Sequence, residues 1–85
     1  MIIGVPKEIE PDENRVALTP SGASAFVHHG HKVFVEREAG KASGIADAAY
    51  RDAGASVVAS SKELWERADL VMKVKAPLGK ELKWM

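Results

Sequence analysis

Apolar and polar positions along the chain alternate between two periods. Residues 1–5, Met-Ile-Ile-Gly-Val, form a continuously apolar run, the pattern of a strand buried on both faces of a parallel sheet. Pro6 ends it. Thr19 and Pro20 then mark a helix start, a side-chain cap followed by a residue whose missing N–H costs nothing at the first helical position. The helix is expected to run to about His29, with Ala23, Phe26 and Val27 on its apolar face and Gly30 as its stop. Residues 32–36, Lys-Val-Phe-Val-Glu, predict a second strand.

The segment from Arg37 to Ile45 contains Gly40, Ser43 and Gly44 and reads as a loop. Asp47 is the expected cap of a short helix through Arg51 and Ala53 that stops at Gly54, and residues 55–59 predict a third strand. Ser60 and Glu63 have the spacing of a capping box, so a helix is expected over 61–67 with Leu64 inward. Residues 69–75 predict a fourth strand, stopped by Pro77, and the tail through Trp84 has helical spacing over few residues. Helix, closing glycine, polar residue and strand recur at Gly30-His31-Lys32-Val33 and at Gly54-Ala55-Ser56-Val57. Strands joined by helices run parallel with right-handed crossovers. The expected fold is therefore α/β and three-layered, a four-stranded parallel sheet of flavodoxin-like or Rossmann-like type. The order 2-1-3-4 is favoured and 3-2-1-4 is the alternative.

Composition narrows the functions. At 85 residues the chain is expected to form one small domain with a thin core, which favours association into a homodimer or larger assembly. Basic and acidic residues balance at 12 each, so no net field draws nucleic acid or anionic lipid. The absence of cysteine excludes disulfides and thiolate metal sites and suits the cytoplasm. No run approaches the length of a membrane span.

Candidate chemistry gathers at the carboxyl ends of the strands, where open α/β sheets bind ligands. The first strand is followed by a long, charged connection that delivers Arg15 just ahead of the helix start. A guanidinium there matches a carboxylate bidentately. Lys75 follows the fourth strand on the same edge and is the candidate for a carbonyl oxygen, so the pair fits an anionic, carbonyl-bearing small molecule. Lys73 shares its face. Glu8 and Glu13 flank Arg15 as candidates to orient it. The plain alternative for all five is solvated surface charge. His28, His29 and His31 cluster at a helix end, but neighbours there point in different directions, and no metal site is expected. Trp65 and Trp84 read as packing residues. There is no Gly-x-Gly-x-x-Gly after a strand and no phosphate-binding loop of the Walker type, so no bound cofactor is expected.

Gly4-Val5-Pro6-Lys7-Glu8, followed by the run from Glu13-Asn14-Arg15-Val16 to Pro20-Ser21-Gly22, resembles the N-terminal signature of alanine dehydrogenases and of the transhydrogenase alpha subunit. Gly30-His31, Gly40, Ser43-Gly44-Ile45, Asp47-Ala48, Ala53-Gly54-Ala55, Trp65, Ala68-Asp69-Leu70 and the run Lys73-Val74-Lys75-Ala76-Pro77 extend the likeness over essentially the whole chain. The glycine-serine loop and the Lys-Val-Lys segment favour the alanine dehydrogenase side.

The resemblance implies an NAD-dependent oxidoreductase that converts L-alanine to pyruvate and ammonia, with Arg15 on the substrate carboxylate and Lys75 on its carbonyl side. It also implies that residues 1–85 are the first part of a substrate domain, with the catalytic histidine and aspartate and the NAD domain elsewhere. On that expectation the chain is not catalytically complete alone. The other expectation is a stand-alone, non-catalytic binding or assembly module of the same descent. The sequence departs from the family pattern at Ala76, where glutamate is usual, and at Asp12, where asparagine is usual.

Overall fold

The computed structural model describes residues 1–8 and 16–72. Strand β1 (Ile2–Val5) leads to helix α1 (Pro20–His28) and strand β2 (Lys32–Glu36). A 3-10 turn (Lys41–Ser43) precedes helix α2 (Asp47–Asp52), strand β3 (Ser56–Val58), helix α3 (Ser61–Arg67) and strand β4 (Leu70–Val71). The continuation of β4 expected through Lys75, and the tail with Trp84, lie outside the described residues.

All pairings are parallel and the order is β3-β2-β1-β4. The α/β class and the four parallel strands agree with the sequence pattern; the favoured order 2-1-3-4 does not form, and 3-2-1-4 does. Two packing facts explain why. Tyr50 of α2 is fully buried and its hydroxyl donates to the Leu18 carbonyl at 2.7 Å, which keeps α2 beside α1 and leaves β3 on the β2 side. Helix α3 takes the opposite face and crosses β1 to return as β4. Gly4 permits that crossing, because a Cβ there would stand 2.7 Å from the Ala68 Cβ and 2.9 Å from Leu64 Cδ2.

Period-2 alternation then sorts the strands. Ile3, Val5, Val33 and Val35 join Leu18, Ala23, Tyr50 and Ala55 in the core beneath α1 and α2. Burying aliphatic side chains of this size contributes about 1.5–3 kcal/mol each, so this layer dominates the stability. On the other face Leu64 is fully buried and the Arg67 guanidinium lies 4.5 Å above the Phe34 ring.

The repeated helix–glycine–strand grammar is one structural device used twice. At the end of α1, Gly30 adopts φ 89°, its amide donates to the Val27 carbonyl and the His31 amide to that of Phe26. At the end of α2, Gly54 adopts φ 97°, with Gly54 donating to Arg51 and Ala55 to Tyr50. Both are Schellman closures, which satisfy the last carbonyls and turn the chain straight into the next strand. At the helix starts, Thr19 Oγ1 accepts from the Gly22 amide and Ser60 Oγ from that of Glu63. Asp47 is not the cap expected for α2. Ala46 holds that position, and Asp47 Oδ1 instead accepts from the Glu38 amide at 2.8 Å, securing the preceding loop where Glu38 adopts φ 63°.

Candidate functional site

In the order β3-β2-β1-β4 the chain winds outward from β1 through β2 to β3, then returns to the other side of β1. The reversal lies between β1 and β4, and the crevice outside the carboxyl ends at such a switch point is where open parallel sheets receive ligands. Gly4 faces Val71 in register, and the Met72 amide donates to the Gly4 carbonyl at 2.9 Å. The segment leading toward Arg15 and the one leading toward Lys75 therefore leave adjacent strands at one edge. In the order 2-1-3-4 a strand would have separated them.

The structure places one of the five candidate residues. Glu8, just past β1, is only 9% exposed and so belongs to the buried part of this edge. Arg15, Glu13, Lys73 and Lys75 lie outside the described residues.

Around Glu8 the edge is built by main-chain contacts. Pro6 is fully buried, and the Lys7 amide donates to Glu36 Oε1 at 2.9 Å, which fastens the exit from β1 to the end of β2. The Arg37 amide donates to the Val58 carbonyl at 2.7 Å, closing β2 against β3. At the opposite edge Asp69 clasps β1 to β4: its Oδ2 accepts from the Ile2 amide and its own amide donates to the Ile2 carbonyl. Tyr50 holds Leu18 on the far side of the long connection. Burial, and then the nearby Asp47 charge, raise the Tyr50 phenol above the ordinary tyrosine value, so it is a neutral hydrogen-bond donor throughout the physiological range.

The sequence reading missed Glu36, Tyr50 and Asp69. Glu36 read only as the charged end of a strand, and nothing local marks a tyrosine that bonds a carbonyl 32 residues away.

The other expectations concern side chains away from this edge. The three histidines do not converge: His29 Nδ1 lies 2.8 Å from the Ala25 carbonyl, while the His31 ring meets Phe26 edge-on with centroids 6.1 Å apart. Among the described residues no group of His, Cys, Asp or Glu has metal-binding geometry, and no helix is long and apolar enough to cross a membrane. Trp65 is half-buried, with its indole Nε1 enclosed.

The pyrophosphate cradle needs glycines where the backbone must approach closely, and here buried Pro6 and Glu8 follow β1. The fold thus defines a doubly wound parallel α/β unit with a switch point between β1 and β4.

Comparison with known proteins identifies which such unit this is. Residues 4–85 match the family "Alanine dehydrogenase/PNT, N-terminal domain", and the chain belongs to that family. It is 56% identical over 81 residues to alanine dehydrogenase of Bacillus subtilis, covering 95% of this chain and 21% of that protein. With alanine dehydrogenase of Methanococcus maripaludis it shares 53% identity over 81 residues, 95% of this chain and 22% of that protein. A solved L-alanine dehydrogenase superposes with a TM-score of 0.96 at 50% identity, over 100% of this chain and 23% of that one. A transhydrogenase from Sinorhizobium meliloti superposes with a TM-score of 0.91 at 33% identity, over 99% of this chain and 24% of that one. The chain thus spans about a fifth of the length of the curated relatives it matches.

Proposed function

We propose that this chain is the N-terminal, substrate-binding segment of an L-alanine dehydrogenase. In this role Arg15 grips the carboxylate shared by L-alanine and pyruvate, and Lys75 contacts the amino or carbonyl group at the reacting carbon. Glu8, from within the edge, and Glu13 orient the arginine, while Lys73 reinforces the positive field around Lys75. The supporting observation is the β1–β4 adjacency, which starts the two cation-bearing segments side by side at a switch point. A fixed guanidinium fork binds a carboxylate through two charge-assisted hydrogen bonds, and a cation near the carbonyl oxygen favours the negative charge that develops there.

NAD, the expected hydride acceptor of the whole enzyme, and the groups that move the proton are assigned to sequence beyond these residues. By itself the chain recognises substrate and does not turn it over.

The test is a titration of the 85-residue chain with pyruvate and with L-alanine, followed by NMR at the Arg15 guanidinium and Lys75 ammonium signals. Saturable shifts at both are expected, lost in Arg15→Ala. Flat signals at millimolar ligand would overturn the assignment and leave the chain a non-catalytic assembly module.

A further inference from the structure

The two Schellman closures lead into neighbouring strands at the amino edge of the sheet, the end opposite the edge that holds Glu8. Pairing between β2 and β3 begins only at Phe34 with Ser56, so Lys32 and Val33 at the start of β2 have no β3 residue paired with them. The missing stretch of ladder coincides with a cavity of about 390 Å³, large enough for a small organic ligand.

Its lining combines an apolar part with donors from separate elements. Val27, Val33 and Phe34 supply the apolar part, and His31, Lys32, Ser56 and Arg67 supply the polar part. Among the described residues that line it none is a carboxylate, although acids and bases balance at 12 each over the chain. The repeated helix–glycine–strand grammar brings this about, because the polar residues that follow Gly30 and Gly54 are His31 with Lys32, and Ser56.

Two of these side chains are held in place. The Arg67 guanidinium lies 4.5 Å above the Phe34 ring and donates to Glu63 Oε1 at 3.0 Å, which uses one of its N–H groups and leaves the others. Both members of that pair are about half exposed, so solvent screens the carboxylate. The His31 ring rests edge-on against Phe26, with Nδ1 enclosed and without a hydrogen-bond partner, so the ring meets a ligand through Nε2.

We infer that this cavity binds an organic phosphate, a phosphomonoester with an apolar ester group. The phosphate oxygens accept from Lys32, Arg67, His31 and the Ser56 hydroxyl, and the ester group rests on Val27, Val33 and Phe34. A phosphate offers three strong acceptor oxygens and a charge of about −1.5 to −2 at neutral pH, which suits several separate donors better than a planar, singly charged carboxylate does. The site is independent of the substrate assignment above. The four residue steps of β2 from Lys32 to Glu36 put about 13 Å, at about 3.3 Å per residue, between it and the carboxyl edge.

The experiment titrates the full chain with phenyl phosphate, inorganic phosphate and benzoate, followed by NMR at the His31, Val33 and Ser56 amides. Phenyl phosphate is expected to give saturable shifts confined to the cavity, with benzoate and inorganic phosphate each binding more weakly. Lys32→Gln and Arg67→Gln should each weaken phenyl phosphate about fivefold to tenfold. Lys32 is exposed, so its replacement leaves the fold intact and keeps the test sound should Arg67→Gln disturb Phe34. Lys41→Gln, which removes an exposed cation outside this cavity, should change nothing.

No saturable shift at tens of millimolar phenyl phosphate would overturn the inference, as would an equal loss from Lys41→Gln. Benzoate binding as tightly as phenyl phosphate would overturn the choice of phosphate. Inorganic phosphate binding as tightly would overturn the role given to the apolar lining.

Discussion

Replacing Gly4 by alanine tests whether the α3 crossing really depends on a missing side chain. In a strand with open space, Gly→Ala would stabilise by about 0.4–1 kcal/mol through the unfolded chain's lost freedom. Here the new methyl would meet Ala68 Cβ at 2.7 Å and Leu64 Cδ2 at 2.9 Å, against the 3.5–4.0 Å at which carbon atoms attract. Leu64 is fully buried and cannot swing away, so α3 must lift by nearly 1 Å or β1 must bend. Overpacking of that kind costs about 1–3 kcal/mol, which outweighs the gain and leaves a net loss of about 1–2 kcal/mol.

For a domain of this size that corresponds to a fall of roughly 4–16 °C in Tm. Urea unfolding followed by circular dichroism measures it, and the double variant Gly4→Ala/Ala68→Gly supplies the internal check. Removing the Ala68 methyl should recover part of the loss, with a coupling of about 0.5 kcal/mol or more. A Gly4→Ala chain as stable as the parent, or strictly additive single effects, would refute the close-approach explanation of this glycine.

Two further outcomes follow from the helix starts and from Tyr50. Ser60→Ala should cost about 1 kcal/mol in the same urea assay, because the Glu63 amide loses its acceptor; an unchanged midpoint would mean that water replaces the cap without loss. Tyr50 holds its proton more tightly when folded than the unfolded chain's value of about 10, through burial first and Asp47 second. Its contribution is therefore intact below pH about 10 and is lost as pH rises through the raised folded value, since the unfolded state releases the proton first. Urea midpoints from neutral to strongly alkaline pH should decline at the top of the range, and Tyr50→Phe should flatten that decline.

The features legible in the sequence were those set by neighbours within a few residues. Thr19, Ser60, Gly30 and Gly54 act as read, because capping and left-handed closure are decided within one turn. Asp47 was misread because its carboxylate has two nearby uses, and only the fold shows that the Glu38 amide across the loop takes it. The favoured strand order, 2-1-3-4, failed for a deeper reason. Which face a crossover helix takes depends on contacts such as Gly4 with Leu64 and Tyr50 with Leu18, and these pair residues far apart in the chain.

That same long-range order governs how the candidate site is understood. Arg15 and Lys75 can be picked out as cations near strand ends, but whether the segments that lead to them start side by side depends on whether β1 and β4 are neighbours, which no local pattern encodes. With β4 paired directly to β1, the two segments begin at adjacent strand ends, and the switch point falls between them. Glu8 gains meaning in the same step. A carboxylate in a charged connection ordinarily stays in water, whereas Glu8 is 9% exposed, just past buried Pro6 and the Lys7 amide's bond to Glu36, which fixes the exit of β1. The edge is thus arranged before any ligand arrives, with main-chain clasps fixing where each charged segment starts. Preorganisation of this kind strengthens ionic contacts, because less of their free energy goes into ordering the chain that bears them.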